Sequence, residues 1–422
     1  NLARLIAASV GAKAALQDTI RELNGTCGRP GTFDALHGLL EEQAYRLSFW
    51  RVAAHELNYR RFFDINDLAG LRMEQPALFH ASHALVARLL SEGDIQGLRL
   101  DHVDGLCDPK EYFQRLQALA DPSWRASTKK DMTTRAHDMH VPQRLYLVVE
   151  KILATHESVR SDWPVSGTSG YEFMAAVNGL FVDSRAERFM KRSYMRFIGR
   201  PVEFKAVSID AKRSIMRDTL GSELNVLANL FGRLAKQSRD TRDYSLTALR
   251  QALSDVIANF PVYRTYVTGK QTSAEDRRDL DWAVSKARKT APTSDTSIYD
   301  FVRDVLSLQL LHQAPRRYRR RDVIDAALKF QQYTGAVTAK AVEDTAFYRY
   351  VCLVSLNEVG GNPDRFGLSP TAFHEMNRRR LSEHPFSMLA TATHDHKRGE
   401  DVRARLAVLS EIAPDWIAHL RR

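Results

Sequence analysis

At 422 residues the chain is long enough for two or three domains and a large hydrophobic core. Hydrophobic residues make up 44% and charged residues 27%, which argues against a disordered or membrane-embedded chain, and no apolar run is long enough to cross a bilayer. The net charge of +10, with the run Arg316-Arg-Tyr-Arg-Arg-Arg321, raises a nucleic-acid or membrane surface as an option. That run is followed by Asp322 and an apolar helical pattern (Val323, Ala326, Ala327, Phe330), so it reads as a solvated helix start.

The chain opens on Asn1 inside a helical pattern with no signal-peptide pattern at that point, and it reads as an interior piece of a longer protein. Residues 1–60 look helical, interrupted at Gly28-Arg-Pro-Gly31. A loop and helix (Asp64 to Glu92) follow, then a short β-like run ending at Asp101 and a helix from about Asp108. The polar stretch from Asp121 to Gln143 reads as a surface loop before a second β-run ending at Glu150. Beyond Asp183 the pattern turns helical, with helices expected over Ser222–Leu234, Leu246–Phe260 and Ala274–Lys289, the last opened by a capping box at Ser273–Asp276. A final strand, Phe386 to Thr393, leads to His394-Asp395, and a helix follows from about Asp401 to Leu409.

Cys27, Cys107 and Cys352 are far apart and odd in number, which speaks against a disulfide framework or a cysteine metal site and makes a reducing cytoplasm the expected compartment. No ligand cluster with zinc spacing and no acidic calcium-type loop is found, so neither cofactor nor metal is expected.

Chemistry concentrates in three segments: Gly97-Leu-Arg-Leu-Asp-His-Val-Asp-Gly105, Leu147-Val-Val-Glu-Lys-Ile152 and Ala392-Thr-His-Asp-His-Lys397. Each delivers a carboxylate at the end of a short β-run: Asp101, Glu150 and Asp395. Strand alternation puts Arg99 and Asp101 on one face and Leu98 and Leu100 on the other. Acids at the carboxyl ends of barrel strands read as catalytic, and a nucleophile, a proton donor and a third stabilising acid are what retaining glycoside chemistry needs. Any one of these acids could as easily cap a helix; the three in this order argue for a site.

The same blocks resemble the second, third and fourth sequence blocks of the α-amylase superfamily. Longer motifs narrow the resemblance. Tyr59-Arg-Arg-Phe-Phe-Asp-Ile-Asn-Asp-Leu68, Trp163-Pro-Val-Ser-Gly-Thr-Ser-Gly-Tyr-Glu-Phe173, Phe260-Pro-Val-Tyr-Arg-Thr-Tyr266, Val342-Glu-Asp-Thr-Ala-Phe-Tyr-Arg-Tyr350 and His394 through Arg405 look like the maltooligosyltrehalose synthase family, from about Tyr59 to the end. The resemblance implies an α/β fold, a partial (β/α)8 TIM-type barrel with a large helical insertion. Only about four barrel strands can be placed, so the early strands and the last are expected to lie outside this chain. Residues 1–183 would belong to the barrel, with the 121–143 loop, 184–380 to the insertion, and 381–422 to a returning strand and helix.

It also implies an isomerase that turns the reducing-end α-1,4 link of a maltooligosaccharide into an α-1,1 link. Asp101 would be the nucleophile and Glu150 the acid/base. Asp395, with His394, would hold the distorted sugar, and Arg99 would keep Asp101 ionised. Candidate substrate contacts are His102, the wall aromatics Tyr171, Trp163, Phe62, Phe63 and Tyr348, and the polar Lys340 and Asp344. A trehalose-releasing hydrolase would be the functional partner. The family shows a threonine where this chain has His396 and a serine where it has Gly399, and its first block, an Asp and an Asn-His pair, would precede Asn1. Two other functions stay open on the residues alone: an ordinary α-amylase-type retaining hydrolase of α-1,4-glucans, and a non-enzymatic basic module, to which little in the sequence points.

Overall fold

The computed structural model describes residues 2–120, 145–269, 272–291, 296–312 and 317–421. It divides into two compact units, Asn1–Glu56 and Leu57–Arg422. The first is helical: α1 (Leu2–Ala8), α2 (Val10–Leu23) and α3 (Asp34–Glu41). Ser9 caps α2 by accepting from the Ala12 N–H at 3.2 Å. The break expected at Gly28–Gly31 is present, with Gly28 at φ +81°.

The second unit is mostly helix around few strands. A hairpin of β1 (Arg61–Phe62) and β2 (Ile65–Ala69) stands where only a loop was expected. The site rests on a three-stranded parallel sheet, β3 (Gly97–Leu100), β4 (Tyr146–Val149) and β5 (Gly167–Thr168), in the order β3-β4-β5. Helix α4 (Pro109–Leu119) joins β3 to β4; Asp108 accepts from Glu111 N–H at 3.1 Å, and Pro109 at the first helical position has no N–H to leave unpaired. Gln117 on α4 is fully buried, donating to the Leu145 and Pro164 carbonyls at 3.1 and 2.9 Å and accepting from Leu145 N–H at 2.9 Å. One side chain thus pins the crossover helix to the start of β4 and to the loop before β5. Leu147 and Val149 pack with Phe113 and Leu116 of α4 in the sheet core.

The helical region beyond Asp183 holds α5 (Phe204–Asp218), α6 (Gly221–Ala235), α7 (Leu246–Ala258), α8 (Ala274–Lys289), α9 (Ser297–Leu306) and α10 (Arg320–Thr338). Ser273 caps α8 by accepting from Asp276 N–H at 3.0 Å. These helices share one apolar core that includes Leu227, Phe231, Val256, Val302 and Phe330. No helix among the described residues is long and apolar enough to cross a membrane.

The stretch Phe386 to Thr393, expected as a strand, is not one. It runs beside β5 and makes a single ladder-like bond, Met388 N–H to the Thr168 carbonyl at 3.1 Å. The reason is local: β5 is two residues long and is followed by Gly170 at φ +97°. A Cβ on Gly167 would lie 1.8 Å from Ser387 Oγ, and one on Gly170 2.7 Å from Ala390 N. The glycines let the two backbones touch but leave no register for a ladder. The polar loop expected over 121–143 lies outside the described residues.

Candidate active site

The parallel register brings the first two acids together. Leu100 pairs with Val149, and Glu150 N–H donates to the Leu100 carbonyl at 2.8 Å, so Asp101 and Glu150 leave neighbouring strands side by side. His102 then turns into the left-handed region at φ +49°, sparsely populated for a residue with a Cβ. That turn aims its backbone N–H at Glu150 Oε2, 2.7 Å away, while Tyr171 hydroxyl donates to Oε1 at 3.1 Å. Phe63, itself at φ +52°, packs its ring 4.3 Å from the His102 ring.

Arg99 lies on the same strand face as Asp101 and donates to it at 2.5 Å; its other terminal nitrogen is 3.1 Å from His394 Nδ1. A guanidinium only donates, so Nδ1 accepts and the ring proton sits on Nε2. That nitrogen is 3.2 Å from Asp101, 3.6 Å from Glu150 and 3.5 Å from Asp395. His394 thereby ties the third acid to the first two. Ligand atoms of Asp101, Glu150 and His394 all lie within 4.8 Å of one another. A metal ion could fit that spacing, but Arg99 already supplies the cation against Asp101.

The two strand-end acids titrate apart. The Glu150 side chain is 10% exposed and that of Asp101 50%. Burial, reinforced by the Asp101 charge and opposed by the His102 N–H, pushes Glu150 up to about 8. Burial also works against the Asp101 carboxylate, but hydrogen bonds from Arg99 and Glu150 and the Arg99 charge outweigh it and hold Asp101 below its ordinary value. At neutral pH the pair is one protonated acid beside one carboxylate.

Opposite the strand ends stands an element that sequence periodicity does not announce. Residues Ala339–Ala346 form an eight-residue π-helix continuing α10, a rare form that is frequent at functional sites. Lys340 on it pairs with Asp64 and Asp344, both at 3.1 Å, and Asp344 also meets Lys397 at 2.9 Å. Lys397 N–H donates to Glu358 at 2.6 Å. The two walls enclose a cavity of about 360 Å³ lined by Phe62, Phe63, Asp101, Glu150, Glu343 and Asp395 among others.

No family model matches the chain. Over 387 residues it is 37% identical to a Mycobacterium tuberculosis H37Rv protein named as a maltooligosyl trehalose synthase, across 92% of this chain and 43% of that one. The solved structure of maltooligosyltrehalose synthase from Arthrobacter ramosus matches with a TM-score of 0.75 and 34% identity, covering 94% of this chain and 45% of that one. A hypothetical maltooligosyl trehalose synthase of Sulfolobus tokodaii gives 0.67 and 28%, covering 91% and 43%. Over more than nine-tenths of its length this chain is similar in sequence and fold to maltooligosyltrehalose synthases. It spans less than half the length of the relatives it matches.

Against the family expectation, Asp101, Glu150, Asp395, Arg99, His394, His102 and Lys340 do converge on one cavity or its rim, and Tyr171 reaches it through Glu150. Trp163 does not. It is 6% exposed and packed between Phe113 and Tyr266, ring centroids 5.1 and 4.8 Å away, so it holds the sheet core and is not a sugar wall. Tyr348 is exposed outside the cavity, with Lys397 Nζ 5.9 Å from its ring. His396, standing where the family has threonine, accepts from Thr393 N–H at 2.6 Å and packs beside Tyr171. Burial lowers it to about 4, so it is a neutral prop for the Asp395 loop. Sequence reading missed Glu343 and Tyr263, which both line the cavity; their motifs were visible, but nothing in them announced the π-helix that carries Glu343 or the approach of Tyr263 to it.

Proposed function

We propose that the chain catalyses intramolecular transglucosylation, converting the reducing-end α-1,4 linkage of a maltooligosaccharide to α-1,1 and so capping it with a trehalose unit. The supporting observation is the Asp101–Glu150 pair: adjacent, oppositely tuned, and with one carboxyl oxygen of each within 4.8 Å of the other, which leaves no room for the attacking water of an inverting pair. Carboxyl groups about 5 Å apart serve retaining double displacement, whereas inverting pairs stand about 6.5–9.5 Å apart to admit a water. Asp101 attacks the anomeric carbon; Glu150 protonates the leaving 4-oxygen, then takes the proton from the incoming 1-hydroxyl. Arg99 keeps Asp101 ionised, and Asp395 with His394 holds hydroxyls of the distorted ring. The same reading takes β3, β4 and β5 as successive strands of a (β/α)8-type barrel, 184–380 as its helical insertion and 381–422 as the returning segment. A cytoplasmic enzyme feeding a trehalose-releasing hydrolase fits this chemistry.

Hydrolysis of α-1,4-glucans is the competing outcome, favoured by the half-exposed Asp101 and Asp395, which leave water a route to the glycosyl-enzyme. Incubation with maltopentaose separates the two. Isomerisation removes reducing ends without releasing equivalent glucose. A rise in reducing power would show that water wins and that the isomerase reading is wrong.

A further inference from the structure

Glu343 has no part in the steps above, yet it lines the same cavity as the three acids. Its Oε1 accepts from the Tyr263 hydroxyl, and among the described residues Oε2 has no protein partner. Its neighbours on the π-helix are committed: Lys340 lies between Asp64 and Asp344, and Asp344 between Lys340 and Lys397. Glu343 therefore offers an uncommitted hydrogen-bonding atom on that wall.

We propose that Glu343 holds the released glucose while it turns over, and so sets the share of isomerisation against hydrolysis. The inference rests on the isomerase reading. For α-1,4 to become α-1,1, the freed glucose must present its 1-hydroxyl where its 4-oxygen had been. A wall group bonded to that sugar then meets different hydroxyls in the two poses, and one that can both donate and accept keeps a bond to either. A lysine can only donate and an ionised carboxylate can only accept; a neutral carboxyl does both from one position. Burial supplies the neutral form, pushing Glu343 up to about 7, with Asp344 and Asp395 adding to the effect and the Tyr263 hydroxyl and Lys397 opposing it. The π-helix fixes the presentation, since Thr345 hydroxyl ties back to the Lys340 carbonyl at 2.9 Å.

Two measurements on the chain test this. In the first, maltopentaose is titrated calorimetrically into the Glu150→Gln chain, with and without Glu343→Ala. The second substitution weakens binding about tenfold, the scale of one or two lost hydrogen bonds; an unchanged Kd overturns the inference whichever reaction the chain performs. In the second, products of the Glu343→Ala and Glu343→Gln chains are compared. Glu343→Ala lowers the ratio of trehalose-capped product to glucose about tenfold, and Glu343→Gln, which keeps a donor and an acceptor, restores most of it. A fall in both products with their ratio constant would mean a merely structural role and would also overturn the inference. If the unaltered chain makes no capped product while binding still weakens, the isomerase reading fails and Glu343 remains a sugar contact.

Discussion

The two walls of the cavity are built by different means. On the strand-end wall, position comes from main-chain register: Asp101 and Glu150 are placed by the β3–β4 ladder and then tuned by Arg99, the His102 N–H and burial. On the helical wall, position comes from a π-helix and a chain of ion pairs running Asp64–Lys340–Asp344–Lys397. On the proposed mechanism the difference separates two tasks. Proton and glycosyl transfer need atoms held within a fraction of an ångström, which a sheet provides; binding a sugar that must turn needs polar groups set across a gap.

Substitution of Glu150 by glutamine breaks the strand-end wall most severely. It removes the proposed proton donor while keeping an oxygen to accept from His102 N–H, and turnover of maltopentaose falls roughly 10³-fold. Activity within tenfold of the unaltered chain would assign the acid/base role elsewhere.

Lys151, the next residue, tests how that wall is anchored. Its side chain is 1% exposed, with Nζ 3.0 Å from Glu157 and 3.5 Å from Asp104. Lys151→Met leaves two buried carboxyls without their cation, a loss of about 3–5 kcal/mol, read as a lowered urea midpoint. No such loss is expected for Lys340→Met on the more open helical wall.

The pH dependence sharpens the contrast within the strand-end wall. The proposed mechanism requires Glu150 protonated and Asp101 ionised, so kcat/KM falls as pH rises through about 8. On the acid side it falls only below the ordinary carboxylate range, where Asp101 takes up its proton. Arg99→Met moves the acid limb up by roughly a unit or more and leaves the basic limb nearly in place. A shift of the basic limb alone would reverse the two assignments.

The smallest effect concerns the loop that carries Asp395. Gly399 precedes the helix Glu400–Ala407 in extended conformation without a side-chain cap, and a Cβ there would meet nothing within 4 Å. Gly399→Ser, the residue the family pattern expects, stabilises by a few tenths of a kcal/mol up to ~1 kcal/mol, measured as a small rise in Tm with the product ratio unchanged.

What could be read from sequence follows the same division. Period-two alternation placed Arg99 with Asp101, and terminal acids on β-runs marked Asp101 and Glu150, because strand geometry is local and regular. Asp395 was found by motif although its supposed strand is irregular, since the close approach permitted by Gly167 and Gly170 depends on the partner chain segment and not on the run itself. Trp163 misled because an aromatic beside a site motif packs a core as readily as it stacks on a sugar. Glu343 was hidden because α-periodicity continues into Ala339–Ala346 in sequence while the backbone widens to π.

The most direct test of the account is to ask which carboxylate carries the sugar. An α-maltotriosyl fluoride, whose leaving group needs no acid, is incubated with the Glu150→Gln chain, and the digested protein is read by mass spectrometry. The account predicts a maltotriosyl adduct on the peptide containing Asp101, absent from an Asp101→Asn, Glu150→Gln chain. An adduct on Asp395, or fluoride release with no adduct on any carboxylate, would contradict it.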